Sequence, residues 1–204
     1  MGNQEQKAVA AKGLKVKDFA TIGIFSAIML VVFIAFSMIT GASLFFNMIF
    51  NAVCIAFILA PFYVYMCMKV HKPGVVLIYN LIHALLTTLM MGPFMAPWFI
   101  AGGIIAELSM FGNDSYKRIT RIGISWTITS LVRATHGMAE IWFFKQAYMG
   151  SGVSEEQIAV QTQYYTSLPW VLFSCVATIV MAILGCMIAD KLMNKHFRKS
   201  GMIK

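Results

Sequence analysis

Six long apolar runs, separated by short polar connections, dominate this chain of 204 residues. An α-helix needs roughly 20 residues to cross the hydrocarbon core of a bilayer, so a chain of this length suits about six spanning helices. Hydrophobic residues make up 59% of the chain and charged residues only 12%, which is more apolar surface than a soluble domain of this length needs. The pattern therefore predicts an all-α membrane protein, a single bundle of six transmembrane helices.

The apolar runs also predict where each transmembrane helix begins and ends. In the long connection 146–167, Ser154 and Gln157 have the spacing of a capping box, which predicts a short surface helix. The predicted membrane domain is 18–193. A basic segment precedes it in the sequence, 1–17, and another follows it, 194–204. The six predicted helices are Asp18–Ile39, Leu44–Met68, Val75–Met91, Pro97–Met110, Ile119–Phe144 and Trp170–Leu192.

The distribution of basic residues predicts the sidedness of the bundle. Lysine and arginine lie before the first helix, in alternate connections such as those with Lys69, Lys72, Lys117 and Arg118, and in the tail. The long connection on the opposite side carries two glutamates instead. Positive residues favour the cytoplasmic side, so both termini are predicted to be cytoplasmic. The net charge of +8 is divided among these connections, a pattern of membrane orientation and not of nucleic-acid binding.

The fifth predicted helix carries Arg133, His136 and Glu140 on one face, because their spacings are three and four residues. A charged side chain near the bilayer centre costs at least about 2.5–3.5 kcal/mol, so it normally faces a cavity or a partner. With cytoplasmic termini, these polar groups concentrate in the outer half, beneath the long connection. The predicted substrate-binding residues are Arg133, His136, Glu140, His83, Asn80, Asn51, Trp98, Tyr164 and Tyr165.

The polar face also fits a purely structural role, and the sequence leaves that alternative open. Arg133 would then pair with Glu140 or with Glu107. Glu107 has a second possible assignment, a pair with Arg118 or Arg121 near the cytoplasmic face.

Few patterns in the chain favour catalysis. There is no phosphate-binding loop for ATP, no Gly-x-Ser-x-Gly turn and no His-Glu-x-x-His zinc pair. The four cysteines lack metal-ligand spacing, so no metal site and no cofactor are predicted. Binding and transport fit better, since Arg133 suits a carboxylate or phosphate. Two alternatives remain open: an intramembrane enzyme acting on a lipid or peptide through His136 and Glu140, and a structural or assembly protein.

The segment AGGIIAELSMFGNDSYKR at 101–118, the ending KLMNKHFRKSG at 191–201 and the six-helix plan resemble a known family. From Leu14 onward the chain is similar to the Trep_Strep group, also called the MptD family, of substrate-binding (S) components of energy-coupling factor transporters. The resemblance implies a subunit in the bacterial cell membrane, without enzymatic activity of its own, that captures a micronutrient from outside. That micronutrient would be a vitamin, a related small metabolite, or a metal or metal complex.

The resemblance also implies partners: a transmembrane coupling protein and two ATPase subunits that hydrolyse ATP. S components commonly present small residues on the first helix to the coupling protein. In this chain Ala20, Gly23 and Ala27 lie on one face of the first helix and form a flat strip of that kind.

Overall fold

A computed structural model describes residues 13–112 and 114–197, and this part of the chain is helical with no β-strand. Most of the predicted N-terminal segment (1–12) and of the predicted tail (198–204) lies outside the described residues. Two 3₁₀ turns, Pro93–Met95 and Ser115–Lys117, and a final π-helical turn, Met193–Phe197, join or extend the α-helices. The α-helices are α1 Val16–Thr40, α2 Leu44–Ile58, α3 Ala60–Val70, α4 Val75–Met91, α5 Ala96–Leu108, α6 Ile119–Trp142, α7 Lys145–Met149, α8 Glu155–Tyr165 and α9 Leu168–Leu192.

Most predicted helices are confirmed within a few residues, as α1, α4, α5, α6 and α9. The prediction of one continuous second helix over Leu44–Met68 is wrong, because α2 and α3 meet at Leu59 with a bend of 43°. Pro61 lies in the first turn of α3, where the missing N–H of proline interrupts the backbone hydrogen bonds of a continuous helix. The predicted surface helix is present as α8, with the Ser154 hydroxyl accepting a hydrogen bond from the Gln157 amide.

Among the described residues, two helical segments are long and apolar enough to cross a membrane alone: Val16–Thr40, which is α1, and Leu168–Lys195, which is α9 with the start of the π-helical turn. The bent pair α2–α3 is a third candidate span, and the helices at Val75–Met90 and Pro93–Leu108 are apolar but shorter. Large apolar side chains cover the outside of α1 and α9. This exterior is typical of a helical membrane protein, whose lipid-facing surface is apolar.

The centre of the fold is α6, which packs against α2, α3, α5, α8 and α9. Its Trp126 side chain is fully buried and donates a hydrogen bond to the carbonyl oxygen of Ala56, at 2.7 Å. Close approach elsewhere depends on small residues. A Cβ added at Gly185 of α9 would lie 2.7 Å from the Cβ of Ala60, so α9 packs directly on the α2–α3 bend.

Candidate functional site

A cavity of about 330 Å³ lies between α1, α2, α4, α6 and α8, and we call it the Arg133 cavity. Apolar side chains such as Phe33, Met48 and Phe99 line part of it. Its other residues bring an unusual concentration of polar groups into the bundle. The polar lining consists of Ser37, Asn47, Asn51, His83, Thr87, Arg133, His136, Glu140, Tyr148, Gln157, Gln161 and Tyr165.

The Arg133 cavity contains six of the nine residues predicted to bind substrate, namely Arg133, His136, Glu140, His83, Asn51 and Tyr165. The other three lie elsewhere.

Each of these three has another partner. Asn80 donates hydrogen bonds to the Val76 carbonyl at 2.9 Å and to the Thr129 hydroxyl at 3.3 Å. Trp98 donates to the Val132 carbonyl at 3.2 Å, and Tyr164 packs among the aromatic rings of the α2–α8–α9 surface.

Arg133 is buried in the lining, with 7% of its surface exposed. Its Nη2 donates a hydrogen bond to the Tyr79 hydroxyl, and its guanidinium carbon lies 5.5 Å from the Tyr79 ring centre and 5.6 Å from the Trp126 ring centre. Both rings favour a cation at that distance and hold the guanidinium in place. The Nε and Nη1 atoms have no hydrogen-bond partner within the described residues.

Glu140 is more deeply buried still, with 1% of its surface exposed, and its Oε1 atom lacks a partner within the same part of the chain. No ion pair joins Arg133 to Glu140 or to Glu107 among the described residues, so neither of the two structural pairs considered for Arg133 is present there. A buried ionisable side chain without a full set of partners is expensive, and proteins usually keep one only where it has a function.

The two histidines of the lining flank one aromatic ring. The ring centre of Phe99 lies 5.3 Å from that of His83 and 5.9 Å from that of His136. His136 also donates from Nδ1 to the carbonyl oxygen of Arg133, at 2.5 Å. Its hydrogen bond therefore goes to the backbone and not to Glu140. No cluster of three potential metal-binding side chains occurs in residues 13–112 and 114–197.

The surface helix α8 supplies side chains that the sequence argument missed. Gln157 and Gln161 both line the cavity, and the Oε1 atom of the buried Gln161 has no partner within the described chain. Their spacing of four residues was the available signal, since it puts both amides on one helix face. The Tyr165 ring packs directly on Gly137, since a Cβ added there would lie 2.7 Å from the Tyr165 hydroxyl. Burial, together with the nearby charge of Glu140, raises the pKa of Tyr165.

Asn51 also has protein partners. Its side-chain amide donates to the Thr40 hydroxyl at 2.7 Å and to the Ser37 hydroxyl at 3.0 Å, while Asn47 donates to Thr40 at 3.0 Å. These bonds join the start of α2 to the end of α1. Asn51 therefore contributes to the wall of the cavity mainly by fixing these two helices.

A second cluster of hydrogen-bonded residues surrounds Glu107. We call it the Glu107 layer, and it consists of Gly74, Leu77, Glu107 and Tyr116. The predicted pair of Glu107 with Arg118 or Arg121 is wrong. Glu107 instead accepts hydrogen bonds from the Gly74 amide at 2.7 Å, the Leu77 amide at 2.9 Å and the Tyr116 hydroxyl. The carboxylate thus caps the start of α4, where amide groups lack helical partners. Burial and the adjacent Glu107 raise the pKa of Tyr116.

The small-residue strip of α1 faces away from the rest of the described chain. Ala20 and Ala27 are exposed, and no atom lies within 4 Å of a Cβ added at Gly23. The strip is therefore open to a partner or to lipid.

A family model described as "Hypothetical bacterial integral membrane protein (Trep_Strep)" matches residues 16–199. The chain therefore belongs to this family of bacterial integral membrane proteins. No curated protein and no solved structure matches it.

Proposed function

We propose that this member of the Trep_Strep family is the substrate-capture subunit of an energy-coupling factor importer, binding a small micronutrient in the Arg133 cavity. The observation that carries the proposal is the buried Arg133 side chain, fixed by Tyr79 and Trp126 but left with two unpartnered nitrogens. A bound acidic group would supply the missing acceptors. A mostly apolar pocket with a few convergent polar groups is the usual form of a small-molecule site.

The proposed topology has six spans, formed by α1, the bent pair α2–α3, α4, α5, α6 and α9, with both termini cytoplasmic. Basic residues support this sidedness, since Lys72, Lys117 and Arg118 lie at the same end of the bundle as the Glu107 layer. The Arg133 cavity then lies toward the outside, beneath α7 and α8. Substrate would arrive there from the external medium.

The proposed partners are a transmembrane coupling protein and two ATPases, because the chain has no phosphate-binding loop of its own. The exposed strip Ala20–Gly23–Ala27 supports a helix–helix contact with the coupling protein, since small residues let two helices approach closely in lipid.

The role of the cavity is tested by mass spectrometry of small molecules that stay bound to protein purified from cells grown in rich medium. We expect the wild-type protein to retain a metabolite and Arg133→Gln to retain at least tenfold less. Arg121→Gln is the matched control, because Arg121 is an exposed arginine on the same helix. Melting temperatures of all three proteins establish that they are folded. Equal retention by Arg133→Gln and the wild type would refute the proposed site.

The partner assignment is tested by co-purification of the tagged protein from its native membranes. We expect a coupling protein and two ATPases to elute with the wild type, and Gly23→Leu to lose them because the added side chain fills the strip. Ile28→Phe enlarges an exposed side chain beside the strip and should keep the complex. A wild-type protein that elutes without any ATPase would contradict the importer assignment.

A further inference from the structure

We propose that the ligand of the Arg133 cavity is a two-ended molecule, with an acidic group at Arg133 and an amine or other N–H donor at Glu140 and Gln161. This inference rests on the proposed capture function and specifies its substrate class. The ligand would be a small zwitterionic or amino-acid-like metabolite, or an acidic metabolite with a nitrogen heterocycle at its far end.

The two ends are defined by the helix that carries both charges. Arg133 and Glu140 are seven residues apart on α6, so both project from nearly the same face, with Cα atoms about 10.5 Å apart along the axis. Both side chains line one cavity, yet no ion pair forms between them. A bridging molecule with opposite chemistry at its two ends satisfies both side chains at once.

The Arg133 end offers only donors. One guanidinium nitrogen donates a hydrogen bond to the Tyr79 hydroxyl, and the two others lack acceptors among the described residues. Arginine cannot lose its proton in a protein, so this end keeps a positive charge. A carboxylate, phosphate or sulfonate provides both the charge and the acceptor atoms that are missing.

The opposite end offers unpartnered acceptors. Glu140 Oε1 and Gln161 Oε1 are both buried and both lack donors within residues 13–112 and 114–197. Gln157 lies on the same face of α8 as Gln161, and its Nε2 atom donates a hydrogen bond to the Tyr148 hydroxyl, at 3.4 Å. Two free acceptors from different helices, α6 and α8, select a ligand group that donates more than one hydrogen bond, as an ammonium group does.

The apolar part of the cavity lining limits the body of the ligand. Phe33, Met48 and Phe99 belong to this part, and His83 and His136 flank the Phe99 ring. A volume of about 330 Å³ lies at the low end of the range of roughly 300–1,000 Å³ for small-molecule sites. A short chain or a single ring fits this space between the two polar ends, whereas a phospholipid or a folded peptide does not.

The test compares three probes of equal chain length on the full-length protein in lipid nanodiscs: ε-aminocaproate, caproate and hexylamine. Binding is measured by the shift in melting temperature over a concentration series. We expect ε-aminocaproate to bind at least tenfold more tightly than either single-ended probe. In Glu140→Gln its advantage over caproate should disappear, and in Arg133→Gln its advantage over hexylamine should disappear.

The control variant is Glu155→Gln, which removes an exposed carboxylate at the start of α8 and should leave all three affinities unchanged. Caproate binding as tightly as ε-aminocaproate, or an unaltered preference in Glu140→Gln, would overturn the inference.

A parallel experiment with the small-molecule fraction of yeast extract separates this inference from the capture function. A retained molecule with only one polar end refutes the two-ended class and leaves capture intact. If neither the extract nor any probe yields a bound molecule, both proposals fail.

Discussion

Two glutamates inside the helix bundle have opposite surroundings. Glu107 accepts hydrogen bonds from two backbone amides and from the Tyr116 hydroxyl. Glu140 is almost completely buried, and its Oε1 atom has no donor in the described part of the chain. Glu107 is only half-buried and has three donors, whereas Glu140 is almost completely buried and its Oε1 atom has none within the described residues.

The difference separates a group that stabilises the fold from one that is left for a ligand. The Glu107 layer fixes the start of α4 against α5 and is complete without any additional molecule. The Arg133 cavity is lined by a cation, a carboxyl group and an amide whose hydrogen bonds are incomplete. A ligand that completes these hydrogen bonds would stabilise the folded protein. Four substitutions test this contrast, and the expected loss of stability falls from the first, Glu107→Ala, to the last, Glu140→Gln.

Glu107→Ala should give the largest loss, about 3 kcal/mol in the free energy of unfolding, since hydrogen bonds to a charged group contribute about 1.5–3 kcal/mol each. The variant leaves the Gly74 and Leu77 amides without their acceptor. Unfolding in detergent, followed by tryptophan fluorescence, measures the change. Glu156→Ala, an exposed glutamate on α8, is the control. If the free energy of unfolding falls equally little in both variants, Glu107 is not a stabilising group and the contrast with Glu140 disappears.

Gly185→Ala should lower the free energy of unfolding by about 2 kcal/mol, because extra atoms in a well-packed core cost about 1–3 kcal/mol. The new Cβ would lie 2.7 Å from the Ala60 Cβ and 2.8 Å from the Phe57 carbonyl oxygen, and neither backbone-linked atom can rotate away. Gly123→Ala is the matched control on α6, since its new Cβ meets Cys186 at an ordinary 3.7 Å. Equal stability of the two variants would mean that α9 is loosely packed on the α2–α3 bend.

Gly137→Ala places an equally close contact in the wall of the Arg133 cavity, 2.7 Å from the Tyr165 hydroxyl. We expect a smaller loss, about 1 kcal/mol, because the Tyr165 ring can move with α8, whereas core overpacking costs up to about 3 kcal/mol. Displacing that ring should also reduce metabolite retention several-fold, as measured by mass spectrometry of the purified protein. A loss of stability as large as that of Gly185→Ala would show that the cavity wall is as rigid as the core.

Glu140→Gln should change stability least, by less than about 1 kcal/mol and toward greater stability without ligand, because it replaces a buried ionisable group that lacks a partner with a neutral one of the same shape. The same variant should lose the preference for two-ended ligands. Unfolding of ligand-free protein and probe binding are measured on the same preparation. A destabilisation comparable to that of Glu107→Ala would mean that Glu140 has structural partners after all.

The structure departs most from the sequence-based predictions where side chains from distant segments meet. The apolar runs predicted the helices because apolar composition and length act locally, and Arg133, His136 and Glu140 share a face because helix geometry requires it. The bend at Leu59 was missed although Pro61 marks it. The roles of Gln161 and Tyr79 were missed because Gln161 lines a cavity formed with helices far away in sequence, and Tyr79 contacts Arg133 on another helix.

The sequence by itself determined that this protein is a helical membrane protein of a known bacterial family, with charged residues in an apolar helix. Only the tertiary structure decided which polar groups are satisfied: Glu107 by the start of α4, Asn80 by Thr129, and Arg133 and Glu140 incompletely. The physical reason is that hydrophobic length is a property of each segment, whereas a hydrogen bond depends on the position of a second group in space.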